Sequence, residues 1–257
     1  MNKNKIAIIT GVSRLKGIGH AIAIELAEKG TDIFFTYWTE YDNQMAWKVG
    51  EDEPKIIKEK VEALGVNCAS MELDLTGEHA VEALLGVVEK RMGAPSILIN
   101  NATYSTMTGI ADFSGKELDK HYHLNVRATT LLTIEFIRRF QYKEGGRIIN
   151  MTSGQSLGEM NNEIAYAMTK GAIETLTRTI SQEIAAKGIA INAVNPGPTD
   201  TGWIDEDLQK DLLERFPMGR LGMPKDAAKL IGFLCSEEGQ WITGQVMHSE
   251  GGFIRSI

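Results

Sequence analysis

The chain has 257 residues, of which 43% are hydrophobic and 24% are charged, and its formal net charge is −7. This charge argues against a general nucleic-acid surface, which carries clustered positive charge, and no apolar run approaches the ~18 residues of a membrane span. Cys68 and Cys235 stand without a C-x-x-C spacing, so neither a disulfide framework nor a metal site is expected.

Short β-rich segments alternate with longer helical segments, a pattern typical of a parallel sheet covered by helices on both faces. The seven predicted strands are 6–10, 32–38, 69–74, 96–102, 147–152, 190–195 and 245–249. The predicted helices are 18–29, 55–64, 78–92, 115–140, 162–187 and 224–236. No Pro/Gly/Ser-rich linker divides the chain, so we expect one α/β domain over 1–257, a Rossmann-like three-layer sandwich.

A glycine-rich turn from Thr10 to Gly19, called the glycine turn below, follows the first predicted strand and leads into the first helix. Glycines in this position let the backbone approach a pyrophosphate, and the start of the helix at Ile18 offers free N–H groups. A glycine motif alone is a weak signal, but the flanking strand and helix favour a dinucleotide site over a structural turn.

The residues near the end of the second predicted strand bear on the choice between NAD and NADP. An NAD site usually has an acid there to bind the ribose hydroxyls, but this strand runs through Tyr37 with Asp32 at its wrong end and Glu40 beyond it. Arg14 and Lys16 lie in the glycine turn, where a cation can pair with a 2′-phosphate. The sequence therefore favours NADPH, with two solvated surface charges as the alternative.

Ser153, Tyr166 and Lys170 are the strongest candidates for catalysis. Tyr166 and Lys170 are four residues apart on a predicted helix, so their phenol and ammonium groups face the same side. A free phenol has a pKa of about 10, and a neighbouring cation lowers that pKa and so aids proton transfer near neutrality. Such a pair is also ordinary helix surface, so the prediction needs support from the rest of the chain.

The order and spacing of these motifs resemble the short-chain dehydrogenase/reductase family, and within it most closely the 3-oxoacyl-(acyl-carrier-protein) reductases. The resemblance runs from end to end and is carried by the glycine turn, Asp74, Asn100-Asn101-Ala102, Asn125, Ser153, Tyr166 with Lys170, Asn195-Pro196-Gly197, Gly244-Gln245 and Glu250-Gly251-Gly252. It implies that Ser153 binds the substrate carbonyl and that Tyr166 donates the proton. It also implies that Lys170 holds the nicotinamide ribose and lowers the pKa of Tyr166, while Asn125 supports a water in a proton relay.

The resemblance also implies the contacts of the cofactor. Asp74 with Leu75 matches the pair beside the adenine, and Asn101 with Ala102 matches the stretch along the adenosine ribose. The predicted cofactor residues are Gly11, Ser13, Arg14, Gly17, Ile18, Gly19, Tyr37, Asp74, Leu75, Asn101, Ala102, Tyr166, Lys170, Pro196, Gly197, Thr199 and Thr201. Each has an alternative reading, in which Asp74 caps a helix, Asn101 satisfies buried backbone and the Pro-Gly pair forms an ordinary turn.

Three features depart from the family pattern. Leu15 and Lys16 form an insertion in the glycine turn, and Thr103 stands where a glycine usually follows Asn-Asn-Ala. The segment 39–54, with Tyr41, Met45 and Trp47, is longer than the family needs. We expect it to be a surface loop that packs on its own side chains, rather than a cover over the adenine end.

The expected activity is NADPH-dependent reduction of a ketone to a secondary alcohol, with a 3-oxoacyl thioester of fatty acid biosynthesis as the implied substrate. Ser153, Gln155 and Trp203 are the candidate substrate residues, the last in a predicted lid. The alternatives are a reductase or dehydrogenase of another small carbonyl or alcohol, such as a sugar, steroid or quinone, and a non-catalytic dinucleotide sensor. The intact Ser-Tyr-Lys set argues against a sensor, which needs no proton donor.

The remaining expectations concern organisation and partners. A cofactor half is expected at about 1–145 and a catalytic half at about 146–257, and the short apolar run after the first five residues predicts no secretory signal and a cytoplasmic location. The resemblance implies a homotetramer built by Lys116–Phe140 and Glu163–Lys187. It also raises an acyl carrier protein as a partner, for which the candidate docking residues are Arg127, Arg138 and Arg139.

Overall fold

The computed structural model describes residues 5–45, 49–50 and 52–255. Its strands are β1 (Ile6–Ile9), β2 (Asp32–Tyr37), β3 (Cys68–Glu72), β4 (Ile97–Asn100), β5 (Gly146–Met151), β6 (Ile189–Asn195) and β7 (Val246–His248). All neighbouring strands are parallel and form one seven-stranded sheet in the order β3-β2-β1-β4-β5-β6-β7. The predicted fold class is confirmed.

Helices cover both faces of this sheet. They are α1 (Ile18–Glu28), α2 (Thr39–Gln44), α3 (Glu53–Glu62), α4 (Ala80–Arg91), α5 (Gly115–His121), α6 (Thr129–Arg139), α7 (Ile164–Ala185), α8 (Glu206–Glu214) and α9 (Pro224–Leu234). The chain is helical from Gly115 to Arg139, as predicted, but a π-helical segment, Tyr122–Ala128, lies between α5 and α6. The short helices α2 and α8 were not predicted.

The strands are apolar along their length because alternate side chains enter two different cores. Ile9 and Phe35 belong to a cluster with residues of α1, α3 and α9. Ile8 and Phe34 point to the other face and join residues of α4, α6 and α7. Burial on both sides explains why the strands were visible in the sequence as nearly continuous apolar runs.

A buried chain of amides and hydroxyls fixes α7 to the centre of the sheet. The side-chain nitrogen of Asn100 donates to Asn150 Oδ1 at 2.8 Å, and that of Asn150 donates to Thr177 Oγ1 at 2.9 Å. Asn150 and Thr177 are fully buried, so these bonds satisfy groups that would otherwise be costly in the interior. The helix that carries Tyr166 and Lys170 therefore has a fixed position over β4 and β5.

The carboxyl ends of parallel strands lie at one edge of a sheet, and the chain crosses to the other side of β1 when it enters β4. The segments that follow β1, β4, β5 and β6 all emerge at this edge.

In the part of the chain that the structure describes, no helix is long and apolar enough to cross a membrane.

Candidate active site

A cleft of about 1910 Å³ runs along the carboxyl edge of the sheet. Sites for one drug-sized ligand are about 300–1,000 Å³, so this cleft has room for a dinucleotide and a second molecule. The predicted residues that line it are Gly11, Ser13, Arg14, Gly17, Ile18, Gly19, Tyr37, Asp74, Leu75, Asn101, Ala102, Ser153, Tyr166, Pro196, Gly197, Thr199, Thr201 and Trp203. Three predicted residues, Asn125, Lys170 and Gln155, lie behind this lining.

The floor of the cleft is the place where the chain leaves β1 and β4. Gly11 has φ +72°, and a Cβ atom added to it would lie 2.7 Å from Ala102 Cα. Thr10 Oγ1 accepts hydrogen bonds from the backbone N–H groups of Asn101 and Ala102, both at 3.0 Å. The side-chain nitrogen of Asn101 donates to the carbonyls of Thr10 and Gly11 at 2.8 and 2.9 Å. Asn101 therefore satisfies buried backbone, as its alternative reading proposed, while it also borders the cleft.

The two inserted residues of the glycine turn are not among the residues that line the cleft. The backbone nitrogen of Leu15 donates to Glu53 Oε2 at 2.6 Å, and the Leu15 side chain packs against the core. Lys16 is exposed and is not among the residues that line the cleft. Of the two cations considered for a 2′-phosphate, Arg14 alone borders the cleft in the described chain.

Arg14 is engaged with residues from two other segments. Its Nε lies 3.3 Å from Asp42 Oδ1, and its guanidinium donates to the Thr201 carbonyl at 2.7 Å. Burial lowers the pKa of Arg14, and the negative charge of Asp42 acts in the opposite direction. Sequence reasoning missed Asp42 because it searched the end of β2, whereas this acid lies one turn further on, in α2.

Helix α2 brings an aromatic side chain into the cleft. The Tyr41 hydroxyl accepts a hydrogen bond from the Ser105 backbone nitrogen at 3.3 Å, and its ring centre is 5.6 Å from that of Tyr104. Burial raises the pKa of Tyr41 to about 12. The expectation of a loop that packs on its own side chains was wrong for this residue, which packs on the segment after β4. Trp47, considered with it, lies outside the described residues.

Ser153, Tyr166 and Lys170 come together between the end of β5 and the start of α7. The Ser153 hydroxyl is within hydrogen-bonding reach of the Tyr166 phenol, and Lys170 Nζ lies 5.4 Å from the centre of the Tyr166 ring. The same Nζ donates to the Met151 carbonyl at 2.9 Å, at the end of β5. The geometry thus joins a serine hydroxyl, a phenol and an amine at one point of the cleft.

Burial dominates the ionisation of this group. It raises the pKa of Tyr166, the nearby Glu163 carboxylate raises it further, and the hydrogen bond with Ser153 lowers it. Burial also lowers the pKa of Lys170 to about 8. The expectation that Lys170 brings the pKa of Tyr166 below its ordinary value is not met in this geometry, because removal from water favours the neutral form of each group.

Asn125 lies in the π-helical segment and is buried. Its side-chain oxygen accepts from the Tyr104 backbone nitrogen at 2.8 Å and from Thr103 Oγ1 at 3.1 Å. Its side-chain nitrogen donates to the Tyr104 carbonyl at 2.9 Å and to Thr169 Oγ1 at 3.0 Å. Asn125 therefore holds the segment after β4 to α7. The hydroxyl of Thr103, a residue found at a position where glycine is usual, contributes one of these hydrogen bonds.

Other predicted residues have local structural partners as well as cleft positions. Asp74 Oδ1 accepts from the backbone nitrogen and hydroxyl of Thr76 at 2.9 and 2.8 Å, which closes a local turn. Its alternative reading as a helix cap was wrong, because α4 begins only after His79. The backbone nitrogen of Gly197, a residue with φ +64°, donates to Asn195 Oδ1 at 2.9 Å. Trp203 is 45% exposed and donates from its indole nitrogen to the Thr199 carbonyl at 2.8 Å.

The substrate end of the cleft differs from the expectation in two ways. Gln155 turns away from the cleft, and its side-chain nitrogen donates to the buried Glu174 at 2.6 Å. Phe253 and Arg255, which no motif singled out, line the cleft, and Arg255 forms an ion pair with Glu250. Within the described ranges, no group of three His, Cys, Asp or Glu side chains is placed to hold a metal ion.

Known proteins resemble this chain over nearly its whole length. The family model described as Enoyl-(Acyl carrier protein) reductase matches residues 11–254. An uncharacterized oxidoreductase of Bacillus subtilis (strain 168) is 48% identical, with 99% of this chain and 98% of the relative covered. A 3-oxoacyl-[acyl-carrier-protein] reductase of Pseudomonas aeruginosa is 31% identical, with 99% of each chain covered. A crystal structure of an angucycline C-6 ketoreductase with bound NADP matches with a TM-score of 0.86 at 28% identity, covering 98% of this chain and 96% of that one.

Replacement of Lys170 by Met should stabilise the protein at neutral pH and abolish catalysis. The pKa of Lys170 is lowered from 10.5 to about 8, so the unfolded chain binds more protons than the folded one between these values. The stability of the wild type therefore rises with pH across this window, and the advantage of the variant should shrink from pH 8 to 10.5. Urea unfolding across this range measures the difference, and a variant that is less stable at every pH would contradict the prediction.

Replacement of Gly11 by Ala should cost about 1–3 kcal/mol of stability and remove dinucleotide binding, because the new Cβ meets Ala102 and the backbone conformation disfavours a side chain. Gly86→Ala is the matched control, since Gly86 lies within α4 with nothing within 4 Å of an added Cβ. That change should stabilise the protein by about 0.5–1 kcal/mol. Urea unfolding and titration with NADPH and NADH test both variants, and normal binding by the Gly11 variant would contradict the assignment.

Proposed function

Because the chain belongs to the short-chain dehydrogenase/reductase family, we propose that this NAD(P)-dependent oxidoreductase uses NADPH to reduce a ketone to a secondary alcohol. The observation that carries the proposal is the meeting of Ser153, Tyr166 and Lys170 beside the cleft. A hydroxyl, a phenol and an amine held together supply what carbonyl reduction requires of a protein, which is hydrogen-bond donors and a proton.

When bound, the dinucleotide supplies a hydride to the carbonyl carbon, and the developing negative charge is on the carbonyl oxygen. The hydroxyl of Ser153 donates a hydrogen bond to this oxygen, and Tyr166 transfers its proton to it. These donors stabilise the transition state more than the ground state, because the charge forms only as the hydride moves. The product is the alcohol, with the hydride on carbon and the proton on oxygen.

The half-buried phenol of Tyr166 and the buried amine of Lys170 both carry a proton at neutral pH. A raised pKa keeps Tyr166 protonated, as a proton donor must be. The pKa of Lys170, lowered to about 8, leaves this amine protonated at neutral pH and able to pass a proton on more readily than an ordinary lysine. Asn125 contributes by fixing the segment after β4 to α7, beside the two groups.

The proposed substrate is a 3-oxoacyl thioester. The likeness to a 3-oxoacyl-[acyl-carrier-protein] reductase and to a ketoreductase supports a ketone rather than an alcohol or sugar as the reacting group. Ser153 and Trp203 are the proposed substrate contacts. Arg138 and Arg139 both pair with Glu135, and Arg139 also pairs with Glu89, so they give the proposed carrier-protein contact little net positive charge.

We propose the assembly and the domain organisation on similar grounds. One sheet joins the cofactor half, about 1–145, to the catalytic half, about 146–257, which supports a single domain. A homotetramer through α6 and α7 is supported by Leu131 and Met168, large apolar side chains that are 43% and 60% exposed on these helices.

Replacement of Tyr166 by Phe should lower kcat for reduction of acetoacetyl thioesters by about 10²–10⁴-fold, because the proton donor is lost while the ring is retained. Tyr142→Phe is the matched control, since Tyr142 is exposed and its hydroxyl donates to the Ala94 carbonyl. It should retain wild-type kcat. A Tyr166 variant with the wild-type rate would overturn the mechanism.

The substrate class is tested with the wild-type enzyme on acetoacetyl thioesters, simple ketones, sugars and quinones. The proposal expects the highest kcat/KM with the thioester. A higher kcat/KM with another carbonyl compound would overturn the assignment of a thioester substrate, while carbonyl reduction as the reaction would stand. Activity on none of them would contradict catalysis and favour a dinucleotide sensor.

The wild type should show a higher kcat/KM with NADPH than with NADH. Arg14→Gln should reduce this preference about tenfold, the size expected for loss of one charge-assisted hydrogen bond to a 2′-phosphate. Asp42→Asn should increase the preference, because it removes the carboxylate beside Arg14. A clear preference of the wild type for NADH would refute the cofactor assignment.

A further inference from the structure

We propose that Glu174, a buried acid on α7, is a positioning residue that holds Ser153 in place relative to Tyr166. The inference rests on the proposed function, because it assigns Glu174 a part in the same reaction. Glu174 is 3% exposed and lies outside the cleft lining, so it acts through other residues.

The donors that surround Glu174 come from both sides of Ser153. Glu174 Oε1 accepts from the Gln155 side-chain nitrogen at 2.6 Å, from Thr152 Oγ1 at 3.2 Å and from Ser156 Oγ at 3.2 Å. These three residues span 152–156, the short segment that carries Ser153 out of β5. One carboxylate oxygen therefore holds this segment at both ends.

The position of Glu174 in α7 makes these contacts relevant to catalysis. Tyr166, Lys170 and Glu174 follow one another at intervals of four residues, so they share one side of the helix. Eight residues at 1.5 Å each place Glu174 about 12 Å along the axis from Tyr166. The helix that carries the Tyr166 phenol thus also holds the segment with Ser153. The relative position of the two groups is therefore fixed by α7 alone.

A carboxylate is suited to this task because it only accepts hydrogen bonds. All three donors point at Oε1, and their hydrogen bonds to a charged oxygen are about twice as strong as bonds to the neutral oxygen of an amide. The second oxygen, Oε2, lies 3.6 Å from the guanidinium of Arg178, a side chain that is 58% exposed. A buried carboxylate is costly without such partners. A shift of the 152–156 segment is therefore opposed by the loss of all three hydrogen bonds to Glu174.

The test is Glu174→Gln in the full-length enzyme, assayed for ketone reduction and for oxidation of the alcohol product. We expect kcat to fall about tenfold with little change in the KM for NADPH, because Ser153 moves while the cofactor floor is untouched. The midpoint of the pH profile for oxidation should move to higher pH, since the hydrogen bond from Ser153 that lowers the pKa of Tyr166 is weakened. The other groups facing Tyr166, which are Glu163, Lys170 and Tyr41, are unchanged in this variant.

A double-mutant cycle separates positioning from a general structural role. If Glu174 acts through Ser153, then Glu174→Gln should change neither kcat nor the pH midpoint further when Ser153 is already Ala. A further tenfold loss in that background would overturn the proposal. Glu183→Gln, at an exposed acid of the same helix, is the matched control and should retain wild-type kinetics.

Two more variants keep the test decisive if Glu174→Gln folds poorly. Gln155→Met removes the shortest of the three bonds and should change kcat and the pH midpoint in the same direction, by a smaller amount. Exchange of the two groups, Gln155→Glu with Glu174→Gln, should recover part of the lost kcat because it restores one donor facing one acceptor. Wild-type kinetics in Gln155→Met, or no recovery on exchange, would contradict the proposal.

Failure of this inference is distinguishable from failure of the proposed function. A wild-type enzyme that reduces ketones, with Glu174→Gln equally active, overturns the positioning role alone. A wild-type enzyme that reduces no carbonyl compound overturns the proposed function and the positioning role with it.

Discussion

The close approach of the chain after β1 to the chain after β4 is the constraint on which the cleft depends. Gly11 and Ala102 lie so near one another that a single added carbon would collide, and the Thr10 hydroxyl and Asn101 amide hold the two segments together. The contact makes a continuous floor at the point where the strand order reverses. The glycine turn, the helix start at Ile18 and the loops after β5 and β6 are all placed relative to this floor.

The catalytic side of the cleft depends on a single helix. Several polar contacts hold α7 in place, among them Asn150 with Thr177, Asn125 with Thr169, Lys170 with the Met151 carbonyl, and Glu174 with the segment around Ser153. Their spacing along α7 leaves little freedom for rotation of the helix about its axis. The half-buried phenol and the buried amine at its start therefore keep a fixed separation in an environment that favours the uncharged form of both.

The sequence was informative where one physical rule determines the structure. Strands buried on both faces appear as apolar runs, and parallel pairing brings their carboxyl ends together, so the fold and the neighbourhood of Ser153, Tyr166 and Lys170 were predictable. The π-helical segment was not, because one extra residue in a helical turn leaves the apolar pattern almost unchanged. Gln155 was wrongly assigned to the substrate pocket because its side chain turns toward Glu174, and no local sequence pattern connects the two residues. Arg255 was missed for the same reason, since its position depends on Glu250.

The contacts of Arg14 with Asp42 and of Tyr41 with Ser105 join α2 to the glycine turn and to the segment after β4. A guanidinium that already has a carboxylate partner attracts an incoming anion less than an unpaired one does. A ligand whose negative charge can take the place of Asp42 replaces the ion pair with Arg14 that it breaks. A ligand without that charge breaks the ion pair and makes none in its place. The pairing with Asp42 therefore lowers the affinity of Arg14 for an anion but increases the difference in affinity between ligands with and without that charge.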